Sequence, residues 1–376
     1  MTQGTLGFGC MRLPVRNGVY DDIDLELFEK MVDLFLERGF TYFDTSYVYH
    51  NGASETALRE ALVERHPRDS FTVATKLPTW LVKSKKAPKK YFDEQRAKLG
   101  VDYIDYYLLH TLRVGLYDSA MVPYHVFETM QAEKEAGRIK NLGFSFHDDP
   151  ATLDRILTDH PEVDFVQIIL NYYDWDSLWI NSRECYETIR KHGKKVVVME
   201  PVKGGLLADP PAPKALAKMR AMHPDWSPAS WAIRFSAGMD GVFVVLSGMT
   251  TYEQVEDNTA FMQQMKPLTD EERALCFECA REIRESGPVG TADFSRFVGI
   301  GGRGDLAAGM ADAYNSSIIQ SSRGFFAAEQ NYYRNQLIHA GLPEKPWLPN
   351  VMKDAGGNDV TELMKTAEDW LLGHLI

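Results

Sequence analysis

Cysteine is scarce in this chain: four in 376 residues, at Cys10, Cys185, Cys276 and Cys279. So few, so widely spaced, exclude a disulfide framework and fit a reducing compartment. Cys276 and Cys279 make a C-x-x-C, but it sits inside the helix-like run DEERALCFECAREIRE, and no second pair completes a four-sulfur site. Both are expected to be buried helix residues that hold no metal. Excess positive charge is missing too: 41 Lys and Arg stand against 53 Asp and Glu, a net charge of −12. That is the wrong sign for a surface that neutralises phosphates, so no nucleic-acid partner is expected. No apolar run approaches the ~20 residues needed to span a bilayer. The first residues, MTQGTLGFGCMRLP, lack a basic segment followed by an apolar one, so no membrane association and a cytoplasmic location are expected. Also absent is a G-x-G-x-x-G after the first strand, which argues against an open doubly wound sheet. No strand candidate carries an H-x-H pair, which argues against a metal-dependent barrel hydrolase.

What is present is a long alternation of short apolar runs and amphipathic stretches. The strand candidates are residues 5–9, 41–44, 71–76, 104–110, 140–145, 164–170, 195–200 and 241–247. Between them lie segments such as DLELFEKMVDLFLERG and SPASWAIRFSAG, where apolar residues recur every three or four positions. Eight βα units predict a closed (β/α)8 TIM barrel, an α/β fold, over residues 1–268. Beyond it the strand rhythm stops, and residues 269–376 read as a mainly helical C-terminal extension. The glycine cluster GIGGRGD (299–305) follows no strand and is expected to be a connector rather than a phosphate cradle. The basic run KSKKAPKK (83–90) is expected to be a solvated loop.

Barrel enzymes place their active sites at the C-terminal ends of the strands, so ionisable residues that end apolar strands carry extra weight. Four do so here. Asp44 ends TYFD, Tyr49 follows five residues later, Lys76 ends FTVATK, and His110 ends IDYYLLH. A lysine ending an apolar strand would bury a charge unless a carboxylate answered it, and Asp44 on the neighbouring strand is placed to do so. A phenol with a reference pKa near ~10 is expected to have it lowered by that lysine, making it a proton donor and acceptor. An imidazole on the fourth strand could orient a carbonyl oxygen by donating to it.

These residues sit in longer motifs: LGFGCMRLP (6–14), RGFTYFDTSYVYHNGASE (38–55), VATKLP (73–78), LGVDYIDYYLLH (99–110), GRIKNLGFSFH (137–147), VQIILNYYD (166–174), MEPVKGGLL (199–207) and VLSGMTTYEQVEDN (245–258). In them the chain resembles the aldo-keto reductases over roughly residues 4–265. The resemblance implies that Asp44, Tyr49, Lys76 and His110 form a catalytic tetrad with tyrosine as general acid and base. It implies an NAD(P)(H)-dependent oxidoreductase that interconverts a small-molecule carbonyl (aldehyde, ketone or sugar-like) and an alcohol. It also implies cofactor contacts. Ser145 and Gln167 would hydrogen-bond the nicotinamide carboxamide with His147 near the same place, and Gly9, Cys10, Met11, Asp44, Met199, Glu200, Pro201 and Val202 would also contact the cofactor. Lys203, Gly204 and Gly205 would wrap the pyrophosphate, and Gly248, Met249, Gln254, Asp257 and Asn258 would surround the adenosine. Trp80, Asn171, Tyr172 and Tyr173, which follow the ends of strands three and six, are expected with His110 to bind substrate.

Three departures qualify this pattern. Met199 stands where many relatives stack an aromatic ring on the nicotinamide. Gly248 and Gln254 stand where NADP-preferring relatives place a cation, which tilts the expectation toward NAD. The barrel motifs most resemble a branch that often carries a ferredoxin-like tail, but this extension has only Cys276 and Cys279, so no iron–sulfur cluster is expected. The segment 323–336 (RGFFAAEQNYYRNQ) is expected to fold over the barrel mouth or to form a subunit contact in a homo-oligomer. Two other readings stay open: an epimerase or internal redox enzyme that retains NAD on a sugar-like substrate, and a nicotinamide-sensing regulatory subunit.

Overall fold

The computed structural model describes residues 4–302, 304–322 and 348–373. Strands β1 (Thr5–Gly9), β2 (Tyr42–Asp44), β3 (Thr72–Leu77), β4 (Ile104–Leu112), β5 (Ile139–Phe146), β6 (Phe165–Ile169), β7 (Lys195–Met199) and β8 (Val242–Ser247) close into a barrel in chain order. Every pairing is parallel, including the closure of β1 on β8. A parallel strand is covered on both faces, which is why these segments read as nearly continuous apolar runs. The strand positions match the expectation to within one or two residues at each end. Inside the barrel, Tyr42, Ala74, Leu108, Phe165, Val197, Val244 and Leu246 form one cluster, with Tyr106 and Phe243 packed on it. Gly7 leaves room for it: a Cβ there would meet Leu246 Cδ2 and Val244 Cγ1 at 2.7 Å.

Helix formation follows local signals. Leu25–Glu37 is capped by Asp24, whose carboxylate accepts from Leu27 N, and buries Phe28, Met31, Val32, Leu34 and Phe35 on one face. The basic run at 83–90 ends by opening the helix Ala87–Leu99, with Pro88 in its first turn.

The chain divides into two compact units. One comprises Met1–Ile169, Cys185–Pro201 and Ser236–Pro267 and contains all eight strands; the other comprises Leu170–Glu184, Val202–Phe235 and Leu268–Ile376. The second unit holds helices Asp270–Glu285, Leu306–Ser322 and Thr361–Gly373, in line with a helical extension. The first of these opens with a capping box between Thr269 and Glu272 and buries Cys276 and Cys279. A cluster of Trp179, Phe294, Phe297, Met310, Met364, Leu371 and their neighbours forms the core of this unit. In the cluster GIGGRGD, Ile300–Gly302 makes one 3₁₀ turn and the glycines at 299, 301, 302 and 304 all have positive φ, a winding connector. The segment 323–336, expected at the barrel mouth or in a subunit contact, lies outside the described residues.

Candidate active site

Asp44, the last residue of β2, and Lys76, near the end of β3, are 2% and 1% exposed, and the ammonium is ion-paired to Asp44 Oδ1. Two more oxygens receive it: Lys76 Nζ donates to the carbonyl of Thr45 at 2.8 Å and to the hydroxyl of Tyr49 at 3.3 Å. An ammonium has three protons, so all its donor capacity is used without water. The pairing answers the cost of burying a lone charge that the strand pattern had raised. Tyr49 opens a short turn, 49–52, in which His50 and Asn51 take positive φ. This bends the chain back and keeps the phenol over Lys76, whose Nζ lies 4.8 Å from the ring centroid.

His110 packs edge-on against Tyr49 with ring centroids 5.8 Å apart, and Trp80 packs tilted against it at 5.3 Å. Ser46 Oγ lies 3.1 Å from His110 Nδ1, and Thr79 Oγ1 donates to the His110 carbonyl at 2.5 Å. Burial, then the charge of Lys76, drives the imidazole pKa well below the ordinary histidine value, so the ring is neutral. A neutral ring carries one proton; the tautomer in which Ser46 donates to Nδ1 leaves that proton on Nε2. The sequence reading overlooked Thr45, Ser46 and Thr79. Their signal was the hydroxyl-rich run DTS directly after Asp44, and a threonine three residues after Lys76.

The phenol behaves differently from expectation. Burial, and next the Asp44 carboxylate, raise the Tyr49 pKa well above the ordinary tyrosine value. The lowering expected from Lys76 does not prevail, because burial is the larger influence and the Asp44 carboxylate adds to it. The phenol is therefore held protonated at neutral pH, in its acid form.

At the strand ends on the far side of the barrel, Ser145 and Gln167 face each other in the β5–β6 register. Ser145 Oγ accepts from Thr111 N at 2.7 Å, whereas Gln167 Oε1 is buried with no hydrogen-bond partner. Asp44 Oδ2 is likewise buried and unpartnered. Unpaired buried acceptors cost stability unless a ligand completes them. An amide N–H and a ribose hydroxyl are suitable donors, so these residues fit a nicotinamide riboside. His147, near Ser145, has its imidazole pushed down to about 3 by burial and by Arg113.

The remaining residues expected at the cofactor fall as follows. Gly9 and Cys10 are buried and Met11 is exposed. A Cβ on Gly9 would come within 3.2 Å of the Ser247 carbonyl, so the first and last strand ends are in close contact. Met199 and Glu200 are half-buried, Pro201 is buried, and Glu200 takes a positive φ of 53°. At the end of β8, Gly248 is exposed and Met249 is buried; Asn258 donates to Ser247 Oγ at 2.8 Å, and Gln254 Oε1 accepts from Thr250 N at 2.7 Å. Asp257 faces outward, exposed.

Val202–Gly205 and Asn171–Tyr173 belong to the second unit. There Lys203 is 2% exposed and its ammonium lies 2.6 and 2.8 Å from the two carboxylate oxygens of Asp174. The following turn depends on glycine: Gly205 has φ of 113°, a conformation closed to other residues. Asn171, Tyr172 and Tyr173, expected as pocket walls, have interior roles. Asn171 Oδ1 accepts from Tyr173 N and Asp174 N at 3.0 and 2.8 Å, closing an Asx-type turn. The Tyr172 hydroxyl meets Cys279 Sγ at 3.7 Å and the Tyr173 hydroxyl meets Ser316 Oγ at 2.8 Å. Among the described residues, no group of three His, Cys, Asp or Glu is placed to hold a metal ion, and no helix is long and apolar enough to cross a membrane.

The profile of the Aldo/keto reductase family matches residues 5–281. The chain belongs to that family. Family members are oxidoreductases that act on carbonyl compounds. L-galactose dehydrogenase of Arabidopsis thaliana is 24% identical over 63% of this chain and 78% of its own length. An uncharacterised oxidoreductase of Bacillus subtilis is 24% identical over 74% of this chain and 93% of its own. Among solved structures, an aldo-keto reductase from Bacillus halodurans in its holo form matches with a TM-score of 0.58 at 25% identity, over 75% of this chain and 96% of its own. An aldo/keto reductase from Klebsiella pneumoniae, solved with NADP and acetate, matches in fold with a TM-score of 0.59 at 18% identity, over 72% and 89%.

Proposed function

We propose that this aldo-keto reductase interconverts a carbonyl and an alcohol with NAD(H) or NADP(H), and that Tyr49 is its general acid and base. The observation that carries the reading is the cluster at the ends of β2, β3 and β4: a protonated phenol 3.3 Å from a buried ammonium, edge-on to a neutral imidazole. A nicotinamide, when bound, supplies or accepts the hydride. Gln167 Oε1, Ser145 and Asp44 Oδ2 are the groups that would hold its carboxamide and ribose. Everything else is the work of this chain's side chains. In reduction, Tyr49 gives its proton to the substrate oxygen, and the Lys76 ammonium stabilises the phenolate that remains. His110 donates from Nε2 to the same oxygen and sets its orientation. Trp80, tilted against His110 with ring centroids 5.3 Å apart, packs beside the imidazole. In oxidation the phenolate takes the alcohol proton and the same groups act in reverse.

The substrate is an aldehyde, ketone or sugar-like carbonyl. The similarity to a sugar dehydrogenase supports putting sugars in the test. The cofactor preference rests on the end of β8. Gly248 and Gln254 bring no cation, which favours NAD, but the Arg12 side chain passes 3.8 Å from where a Cβ on Gly248 would stand. The nearest atoms are the aliphatic Cβ and Cδ of Arg12, so an arginine is rooted beside that loop, and NADP belongs in the test with NAD. The test is to mix the protein with NADPH or NADH and a panel of aromatic aldehydes, cyclic ketones and aldoses, and to follow loss of the reduced nicotinamide. Turnover with at least one carbonyl is expected; a protein that binds nucleotide yet turns over none of them would refute the reading.

A further inference from the structure

Behind β3, on the side away from the reacting groups, lies a buried polar knot that the mechanism above does not use. Glu55 is fully buried, and its Oε1 accepts from Thr75 Oγ1 at 2.7 Å and from Gln95 Nε2 at 2.8 Å. Gln95, also fully buried on helix Ala87–Leu99, places the same amide nitrogen 3.0 Å from both Thr75 Oγ1 and the backbone carbonyl of Lys76, so its two protons serve three oxygens and one proton is shared. Its own oxygen is held by the Tyr107 hydroxyl at 2.7 Å. The second Glu55 oxygen has only Lys98, 3.7 Å away. A carboxylate this deeply buried is costly to keep for packing alone, since an apolar group of similar shape usually serves the core as well or better.

Its location explains what it does. Strand β2 ends at Asp44, and the last bond it offers β3 runs from Thr45 N to the Ala74 carbonyl at 2.8 Å. The chain then turns away, so the Lys76 carbonyl is held by Gln95 instead of by a neighbouring strand. Beside Glu55, the Ser54 hydroxyl lies 2.8 Å from Thr45 Oγ1 and donates to the Cys10 carbonyl at 3.1 Å. The dipeptide Ser54–Glu55 therefore grips both sides of the ammonium: Thr45, whose carbonyl receives it, and the strand segment that carries it.

We infer that Glu55, acting through Thr75 and Gln95, is a positioning residue that sets the reach of Lys76 to the Tyr49 hydroxyl. This rests on the assignment of Tyr49 as the proton donor, but its geometric half can be tested separately. The role belongs to the hydrogen bonds rather than to the charge. Glu55→Gln keeps an acceptor oxygen and recovers most of the turnover, whereas Glu55→Leu loses it. A displacement of about 1 Å near the reacting atoms can cost as much as about a hundredfold, so Glu55→Leu is expected to lose at least about tenfold in kcat with KM and nucleotide Kd unchanged. Thr75→Val, nearly isosteric, removes a single hydroxyl and guards against a leucine variant that does not fold; a loss of about fivefold in kcat is expected from it.

The decisive experiment is a crystal structure of Thr75→Val, together with aldehyde reduction by NADPH and by NADH in the wild type and all three variants. Lys76 Nζ beyond hydrogen-bond reach of the Tyr49 oxygen, with kcat lowered and nucleotide Kd kept, supports the inference. The wild-type spacing retained in the variant, or unchanged kcat, overturns it. A Glu55→Gln variant as impaired as Glu55→Leu overturns the claim that the bonds rather than the charge matter. If the wild type itself reduces nothing while the variant structure shows Lys76 displaced, the function assignment has failed and the positioning role stands.

Discussion

Replacing Tyr49 with phenylalanine is expected to lower kcat for carbonyl reduction by about 10²–10⁴-fold, the range general acid catalysis contributes, and to leave nucleotide Kd unchanged. Phenylalanine keeps the ring that packs at 5.8 Å on His110 and removes only the oxygen that Lys76 approaches. The pH profile gives a second readout. Because burial and Asp44 raise the phenol pKa, the acid form persists through neutral pH. Wild-type reduction should therefore be level across the neutral range and fall only in alkali, as pH rises through that raised pKa. Alcohol oxidation needs the deprotonated phenol and should climb over the same range. Steady-state rates in both directions, from pH 6 to the limit of stability, test this; wild-type turnover in Tyr49→Phe would remove Tyr49 from its role.

Replacing Lys76 with methionine should produce the largest combined effect. The chain loses the cation beside the phenol, with turnover falling by at least about 10²-fold. It also keeps the Asp44 carboxylate buried without its partner, a change that costs on the order of 3–5 kcal/mol. Burial already pushes the Asp44 pKa up, and Lys76 is what opposes it. Once Lys76 is gone, the folded-state pKa lies further above the unfolded value. The deficit is largest above that raised value and shrinks as pH falls through it, when the carboxyl takes up a proton. Urea unfolding at pH 7 and pH 5 measures this. The double variant Asp44→Asn, Lys76→Met should recover stability but not turnover, which separates the two consequences. A single variant as stable as wild type at pH 7 would show that the ion pair does not carry the site.

Much of this was legible in the chain itself because the relevant signals are local. Apolar runs such as FTVATK and IDYYLLH have the length and the β-branched and aromatic content of strands covered on both faces, and the ionisable residues that end them lie where a barrel exposes its strand ends. What the sequence hid was tertiary. No spacing rule shows that Asn171 spends its carbonyl on the turn it opens, or that the ammonium of Lys203 is taken by Asp174 twenty-nine residues earlier. Nor could spacing reveal the direction of the Tyr49 shift: depth of burial comes first and the Asp44 carboxylate second, and both raise it despite the nearby lysine. Glu55 was visible only as one letter of a motif. Its meaning depends on Gln95, forty residues on, reaching the Lys76 carbonyl.

The central claim is that this barrel holds a nicotinamide nucleotide against Tyr49. It is tested most directly by titrating the purified protein with NADPH and with NADH, following fluorescence, and assaying the as-isolated protein for nucleotide released on denaturation. Saturable binding of at least one of them, or nucleotide retained from purification, is the predicted result; the tighter of the two names the cofactor, and retention through dialysis favours a cofactor that stays bound through turnover. Binding of neither, by a folded protein with no nucleotide to release, would contradict the account.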